Sequence, residues 1–548
     1  MNYKYNAARC AQCFLLLLLS YSLPAPSHPF FLPQQLPRFH AGGRPPHKHL
    51  HSFPTPQITS PPHPSPSGLI LVDSFSPYHG HYLSSAALEK YNATIINVYS
   101  PYVQSILMSQ PNLTDDEISK IEAHGIPTGP SLTDWSTKCG VEITSIICES
   151  DSGLRATELL ASSLNLSPER SNDVGEWRRD KALMYDYLQG TVKMPKTRLC
   201  RNEEEAVSFA VQLGVDEFGG GKSVVVKPKR GVASGDVYKC STTAKIIESV
   251  SRIIGSSKFG EEGAVVEDVL VQEFVEGAEF AVDAVSRSGE VKICAVWRYT
   301  KREVPGGDFV YCKTELVGEC FSDPEDDKLC PAVDDVDGVI VFETLCDFVE
   351  ETLHNAGVEW GMSHTEIMVN LPTGRATRKA DVELTLIEIN CRQHNTDFAP
   401  VTEACVGYNK LDVCLEAYLG DCAEDGNGGV HRQYDDTDMT WDMVPRRPRL
   451  FARGAIVHLQ CNVEGVVKKV DLGCIPDLDS VVKVEVYNDF KKGCYVTRTK
   501  TMAEDAGWIH LVADDQVKME KDYEKIMEQM DNIWEIEEGE NIDDLFVV

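Results

Sequence analysis

Leu386-Ile387-Glu388-Ile389-Asn390-Cys391-Arg392 constrains the fold more tightly than any other stretch of the chain. Polar residues alternate with apolar or small ones. On a β-strand Glu388, Asn390 and Arg392 then share one face, while Ile387, Ile389 and Cys391 enter a core. A solvated edge strand would show the same alternation. The chemistry of this face, read with His364-Thr365-Glu366 some twenty residues upstream, points further. Glu366, Glu388 and Asn390 offer hard oxygen donors that suit Mg²⁺. Arg392, two residues on, is placed to stabilise negative charge developing beside a metal.

Upstream, Ser223-Val224-Val225-Val226-Lys227-Pro228-Lys229-Arg230-Gly231-Val232-Ala233-Ser234-Gly235 reads as a strand that delivers Lys227 into a small-residue loop. Gly231 and Gly235 let backbone N–H groups approach an anion, and Lys227, Lys229 and Arg230 supply charge. The loop is not a Walker sequence, because no Gly-Lys-Ser/Thr follows. Val269 to Val285 reads as two strands separated by a turn at Gly277. Lys181 opens a helical pattern through Leu188, and Met194-Pro195 ends that segment.

In this order the parts resemble the ATP-grasp superfamily. Within it they are most similar to the carboxylate-amine ligases, including amino-acid (dipeptide) ligases of the bacilysin and carnosine synthase type. The resemblance spans Leu69 to the C-terminus and is most specific from Lys181 to Arg392. It implies ATP and Mg²⁺ (or Mn²⁺) as cofactors. Lys181 and Lys227 would hold the phosphates, with the loop of Lys229, Gly231, Ser234 and Gly235 folding over them. Glu273, with the backbone of Phe274, Val275 and Glu276, would face adenine, and Glu279 would bind the ribose, a role for which Glu276 competes. Glu366, Glu388 and Asn390 would hold the metal, and Arg392 would be catalytic. His364 and Arg298 are open as further substrate contacts, and Lys301 is expected to lie outside the phosphate site. After Arg392 many relatives continue with a Gly pair, whereas Gln393-His394-Asn395-Thr396-Asp397 follows here, so the substrate pocket should differ.

The implied reaction joins a carboxylate to an amine through an acyl phosphate, releasing ADP and phosphate. Alternatives are a carboxylase or purine-pathway type of ATP-grasp ligase, or a non-catalytic ATP-binding regulator. The expected architecture is α/β and α+β multidomain: a Rossmann-like pre-ATP-grasp domain (68–170), an ATP-grasp domain (171–425) with a mobile lobe at about 220–275, and a small C-terminal subdomain (450–548). Leu69–Val72, a following helix and Thr94–Val98 form the βαβ start of a parallel sheet. A continuous helical pattern runs from Val401 to Leu419, and a last helix from Val517 to Trp534.

Charge bears on partners. With 52 Lys+Arg against 84 Asp+Glu the chain carries −32. That argues against nucleic acid as a partner; small-molecule carboxylate and amine substrates are what the resemblance implies. The first acidic residue is Asp73. Lys4 and Arg9 precede a short apolar run, Cys13–Leu19, too short to span a bilayer, and Pro-, Ser- and His-rich sequence follows to 67. Such composition cannot bury a core. This signal-like, acid-poor segment suggests delivery to an organelle such as a complex plastid, with cytosol or secretory pathway as alternatives. No stable membrane span is expected in the mature chain, and a homodimer is open as its assembly. The 16 cysteines beyond Cys13 form no CxxC pair or zinc-like cluster, which suits a reducing compartment.

Overall fold

The computed structural model describes residues 67–537 except 75–78, 111–112, 127–139, 168, 232–234, 262, 305–308, 321–337, 373, 375, 377, 395–397 and 421–438. The expected targeting segment lies outside these residues, apart from Ser67. Among the described residues no helix is long and apolar enough to cross a membrane.

The N-terminal unit opens as β1 (Ser67–Val72), α1 (His79–Tyr91) and β2 (Thr94–Val98), continues through α2 (Pro101–Met108) and α3 (Asp115–Ala123), and closes with β3 (Glu142–Cys148) and α4 (Leu154–Ser163). Its sheet has the order β2-β1-β3, all parallel. Leu69, Leu71 and Ile147 enter one core cluster while Ile70, Val72 and Ile146 enter another, so both faces are covered. That is why β1 reads as an unbroken apolar run rather than as an alternation.

From α5 (Lys181–Leu188) the chain enters a small lobe. It comprises β4 (Thr197–Cys200), α6 (Glu203–Leu213), β5 (Val224–Lys227), β6 (Tyr238–Cys240), α7 (Thr243–Ile253) and β7 (Val269–Glu273), with antiparallel sheet order β4-β7-β5-β6. On α7, Ile246, Val250 and Ile253 recur at helical spacing and pack beneath the sheet with Val224, Val226 and Val271. The lobe begins at Thr197 rather than at about 220. Its first strand, Thr-Arg-Leu-Cys, is short and mostly solvent-facing, and only its pairing with β7 makes it part of the sheet.

Residues 274–277 carry the chain into the central eight-stranded antiparallel sheet. β7 and β8 (Ala278–Arg287) therefore lie in different sheets and do not form a hairpin. With β9 (Glu290–Arg302), β10 (Val310–Val317), β12 (Gly361–Asn370) and β13 (Glu383–Asn390), the order runs β13-β12-β8-β9-β10-β15-β19-β17. The last three are β15 (Arg453–Leu459), β19 (Gly507–Ala513) and β17 (Val481–Val486), so the C-terminal strands extend the same sheet. α8 (Gly338–Asn355) buries Val341, Leu345, Val349 and Leu353 against the strands.

The expected helix at 401–419 is two helices, α9 (Ala399–Val406) and α10 (Lys410–Leu419). They are broken at Gly407, which takes a left-handed φ of 89°, and α10 is capped afresh by the Asn409 side chain. α10 lies against α1: the Tyr82 hydroxyl donates to Asp412 at 2.8 Å, Lys90 pairs with Asp412 at 2.7 Å, and the Tyr91 hydroxyl donates to Glu416 at 2.6 Å. The short β11 (Glu319–Cys320) pairs with β14 (Arg449–Leu450). A three-stranded sheet of β18 (Tyr495–Val496), β16 (Gly465–Val470) and β20 (Trp534–Ile536) completes the fold. The last helix, α11, is Gln516–Met530. It stops short of Trp534, which instead pairs with Val470.

Candidate active site

The register of the central sheet assembles a polar floor. His364 lies opposite Asn390 and Glu366 opposite Glu388, while on the other side of β12 Glu366 faces Ala281 and Met368 faces Glu279. Side chains on one face of a sheet alternate, so Glu279, Glu366, Glu388 and Asn390 point the same way. The β12–β13 pairing takes one bulge, on β13, where Ile387 is left without a partner between Glu388 and Leu386, which interrupts the pairing next to the carboxylates.

Cations approach this floor from two elements. Lys181 is the first residue of α5, whose N-cap Asp180 accepts from the N–H groups of Ala182 and Leu183. Its Nζ lies 3.2 Å from a Glu388 carboxylate oxygen and donates to the Gly231 carbonyl, also at 3.2 Å. Its backbone N–H donates to the Lys229 carbonyl at 2.9 Å, so the start of α5 is stitched to the phosphate-type loop. Lys227, the last residue of β5, is only 5 % exposed. Burial pushes its ammonium down to about 8, against the pull of Glu388 and with the repulsion of Lys181. Burial alone would push Glu388 up, but Lys181 and Lys227 outweigh it and hold the carboxyl down to about 2, so Glu388 is a carboxylate at any physiological pH. Asn390 Nδ2 donates to Glu388 at 2.8 Å.

Ionised Glu388, Glu366 beside it and the Asn390 amide form a set of hard donors that fits Mg²⁺. The lysines around it fit the phosphates such an ion accompanies.

Other expected residues are placed differently. Lys229 pairs with Asp268 at 2.8 Å, and Arg230 is held by Glu176, Asp180 and Glu261. The cations of the loop are thus tied to neighbouring carboxylates, whose contribution has no local sequence signature. Ser234 lies outside the described residues. Glu273 ends β7 and reaches Lys222 at 3.9 Å, Phe274 lies under the Lys239 ammonium at 4.5 Å, and Val275 is half-buried in the link between the two sheets. Of the two carboxylates that compete for the ribose role, Glu276 is exposed and Glu279 faces the floor.

Lys301 stands in the site, contrary to expectation. It donates to both Glu279 oxygens, at 2.7 and 2.8 Å, and lies 4.3 Å from the Tyr311 ring centroid. The long charged run Trp297–Arg302 masked this, because alternation sends Lys301 with Trp297 and Tyr299 to the site face and Arg298 to the other. Arg302 instead donates to Gln460 at 2.5 Å.

Beside Glu366, on the same face of the sheet, lies a buried cluster with no local sequence signal, since its members come from four elements and the turn after β13. Asp283 accepts from Lys410 at 2.6 Å and Trp297 Nε1 at 2.9 Å, and lies 3.3 Å from the Nδ1 atoms of both His364 and His394. Against burial, Lys410 and the histidines hold its carboxyl well below the usual range. Asp283, His364 and His394 are close enough to hold a cation. The four nitrogens already surrounding Asp283 account for its charge without one. His364 reaches Glu366 at 3.4 Å and so adjoins the donor set.

Comparison with known proteins finds the following similarities. An ATP-grasp domain model matches residues 221–319, the stretch that holds Lys227, Glu279 and Lys301. The chain is 22 % identical over 342 residues to dapdiamide A synthase of Enterobacter agglomerans, covering 61 % of this chain and 72 % of that protein. In three dimensions it is similar to an L-amino acid ligase of Bacillus licheniformis, with a TM-score of 0.57 at 13 % identity, covering 86 % of this chain and 100 % of the other. It is also similar to an ATP complex of carboxyaminoimidazole ribonucleotide synthase of Aspergillus clavatus, with a TM-score of 0.51 at 12 % identity, covering 86 % and 99 %.

Proposed function

From the ATP-grasp domain matched at residues 221–319, we propose that this chain joins a small-molecule carboxylate, of the amino-acid class, to an amine in an ATP-dependent reaction. The observation that carries the reading is the convergence of Lys181 and Lys227 from the α5 and small-lobe side on Glu279, Glu366, Glu388 and Asn390 of the central sheet.

Lys181 bonds Glu388 in the structure; a polyphosphate arriving with a divalent cation would exchange this bond for Lys181 to phosphate and Glu388 to metal. Charge is conserved in the exchange, which keeps the cost of desolvating either group low. Mg²⁺, held by Glu366, Glu388 and Asn390, would neutralise charge on the phosphates. Lys227, with the backbone of the Gly231 loop, would orient the γ-phosphoryl group, and Glu279, set by Lys301, would meet the ribose. The substrate carboxylate oxygen then attacks the γ-phosphorus and ADP departs. The amine nitrogen attacks the acyl carbon, the amine gives up a proton and phosphate leaves. Arg392, buried beside the donor set, stabilises the oxyanion of that second step.

Dapdiamide A synthase and the L-amino acid ligase favour amide formation over the carboxylase alternative, as relatives in sequence and in fold. The test is ADP release in the presence of Mg²⁺, ATP and a mixture of the twenty proteinogenic L-amino acids, in wild type and in Glu388→Gln. The variant should lose more than about 100-fold in turnover while keeping its circular dichroism spectrum, because a hard anionic ligand is removed at constant size. Full turnover in a folded Glu388→Gln protein would refute the metal assignment.

A further inference from the structure

The N-terminal unit ends its strands beside the floor, and one of its turns reaches in. Asp151, in the turn between β3 and α4, accepts from Arg392 Nε at 2.5 Å across 241 residues of sequence. Arg392 is 5 % exposed, and its Nη1 also donates to the Gln393 carbonyl at 2.7 Å. Two bonds, one on Nε and one on Nη1, fix the plane of a rigid fork. Of its five N–H groups, three are left uncommitted by these bonds, two of them on Nη2. Asp151 therefore selects which edge of the guanidinium is offered to a ligand.

The turn that carries Asp151 is itself built. Ser150 Oγ donates to Asp73 and lies 3.2 Å from Ser152 Oγ, and the Gly153 N–H donates to Ser150 Oγ at 2.9 Å. Asp73 also accepts from the Ser100 N–H at 2.7 Å. It sits just past the end of β1 with a left-handed φ of 57° and is 5 % exposed. A Cβ at Gly153 would lie 2.6 Å from Asp73 Oδ2 and 2.8 Å from Ser150 Oγ, so no larger residue fits the turn as it stands. A strained, buried carboxylate contributes nothing as packing and persists only where its surroundings over-determine it. Here its bonds lead through Ser150 to Asp151 and on to Arg392.

We propose that Asp73, Ser150 and Asp151 are positioning residues for Arg392, so that the parallel-sheet unit aims a guanidinium that belongs to the central sheet. The inference rests on the reading of Arg392 as the group that stabilises charge in the second chemical step. The Asp151 carboxylate bonds Arg392 and none of Glu366, Glu388 and Asn390. Its loss lowers the rate constant and spares nucleotide affinity.

The experiment measures kcat for ADP release with the amino-acid mixture, Kd for MgADP by calorimetry, and thermal midpoints, in wild type, Asp151→Ala, Ser150→Ala, Arg392→Lys and the Asp151→Ala/Arg392→Lys double variant. Asp151→Ala should lower kcat by about tenfold to a hundredfold, as a misaligned catalytic group does, with Kd for MgADP unchanged. Ser150→Ala should fall in the same direction by less. The double variant should be no slower than Arg392→Lys alone, since both changes disable one device. A multiplicative double variant, or an Asp151→Ala protein with wild-type kcat beside a slow Arg392→Lys, overturns the positioning role. Loss of MgADP affinity in Asp151→Ala overturns it as well. If Arg392→Lys turns over normally, or wild type releases no ADP in the mixture, the reading of the site falls and the inference falls with it.

Discussion

Lys227 gives the site a pH signature. Its ammonium, pushed down to about 8 by burial, must be charged to meet phosphate. Only the protonated fraction binds, so MgATP affinity should hold below about pH 8 and fall by about tenfold per unit above it. Lys227→Arg should flatten that dependence up to pH 9.5 whatever it does to affinity at neutrality, because a guanidinium does not titrate there. Calorimetric titrations at four pH values check this; a lysine protein whose affinity is flat to pH 9.5 would contradict it. Lys301 behaves otherwise. Burial would push its ammonium down, but Glu279, Tyr311 and Glu366 together hold it above its ordinary value, so it stays charged. Lys301→Ala leaves Glu279 without its bidentate partner, and a charged acceptor stripped in this way costs about 2 to 3 kcal/mol. Melting curves should show the loss, and Glu279→Gln in the same background should recover part of it.

At the level of elements, Gly277 is the point where the small lobe meets the central sheet. It has φ 143°, and a Cβ there would lie 2.3 Å from the Val369 carbonyl oxygen on β12. Gly277→Ala should therefore destabilise by about 1 to 3 kcal/mol, read as a lower urea midpoint; an unchanged midpoint would mean that the link shifts freely. The sequence showed this turn, and it showed β1, β2, β12, β13 and the start of α5, because each carries an apolar run, a period or a capping residue of its own. It did not show that β7 and β8 part into different sheets, since the period of two is the same whichever neighbour a strand pairs with. β4 was hidden because its four residues, Thr-Arg-Leu-Cys, are too few to show a period. In the site, Lys181, Lys227, Glu366, Glu388 and Asn390 were visible as local patterns. Lys301 and Asp151 were not: Lys301 joins the floor only through the register that sets it beside Glu279 on the neighbouring strand, and Asp151 only through Arg392, 241 residues further along the chain.

At the scale of the whole molecule, the candidate site is shared among α5, the small lobe, the central sheet and the turn at Asp151, so anything that bridges them should stabilise the chain. A ligand at about one hundred times its Kd adds about 2.7 kcal/mol. ATP with Mg²⁺ should raise the thermal midpoint by a few degrees, and ATP with a chelator by much less, given that Glu366 and Glu388 would face the phosphates unscreened. Equal shifts with and without Mg²⁺ would argue against the metal role of Glu366, Glu388 and Asn390.

The contact between α1 and α10 has another consequence, for the order in which the protein is made. Tyr82, Lys90 and Tyr91 find their partners Asp412 and Glu416 more than three hundred residues later. At about 5 to 20 residues per second of synthesis, the parallel sheet stands with that flank uncovered for tens of seconds before its mate leaves the ribosome.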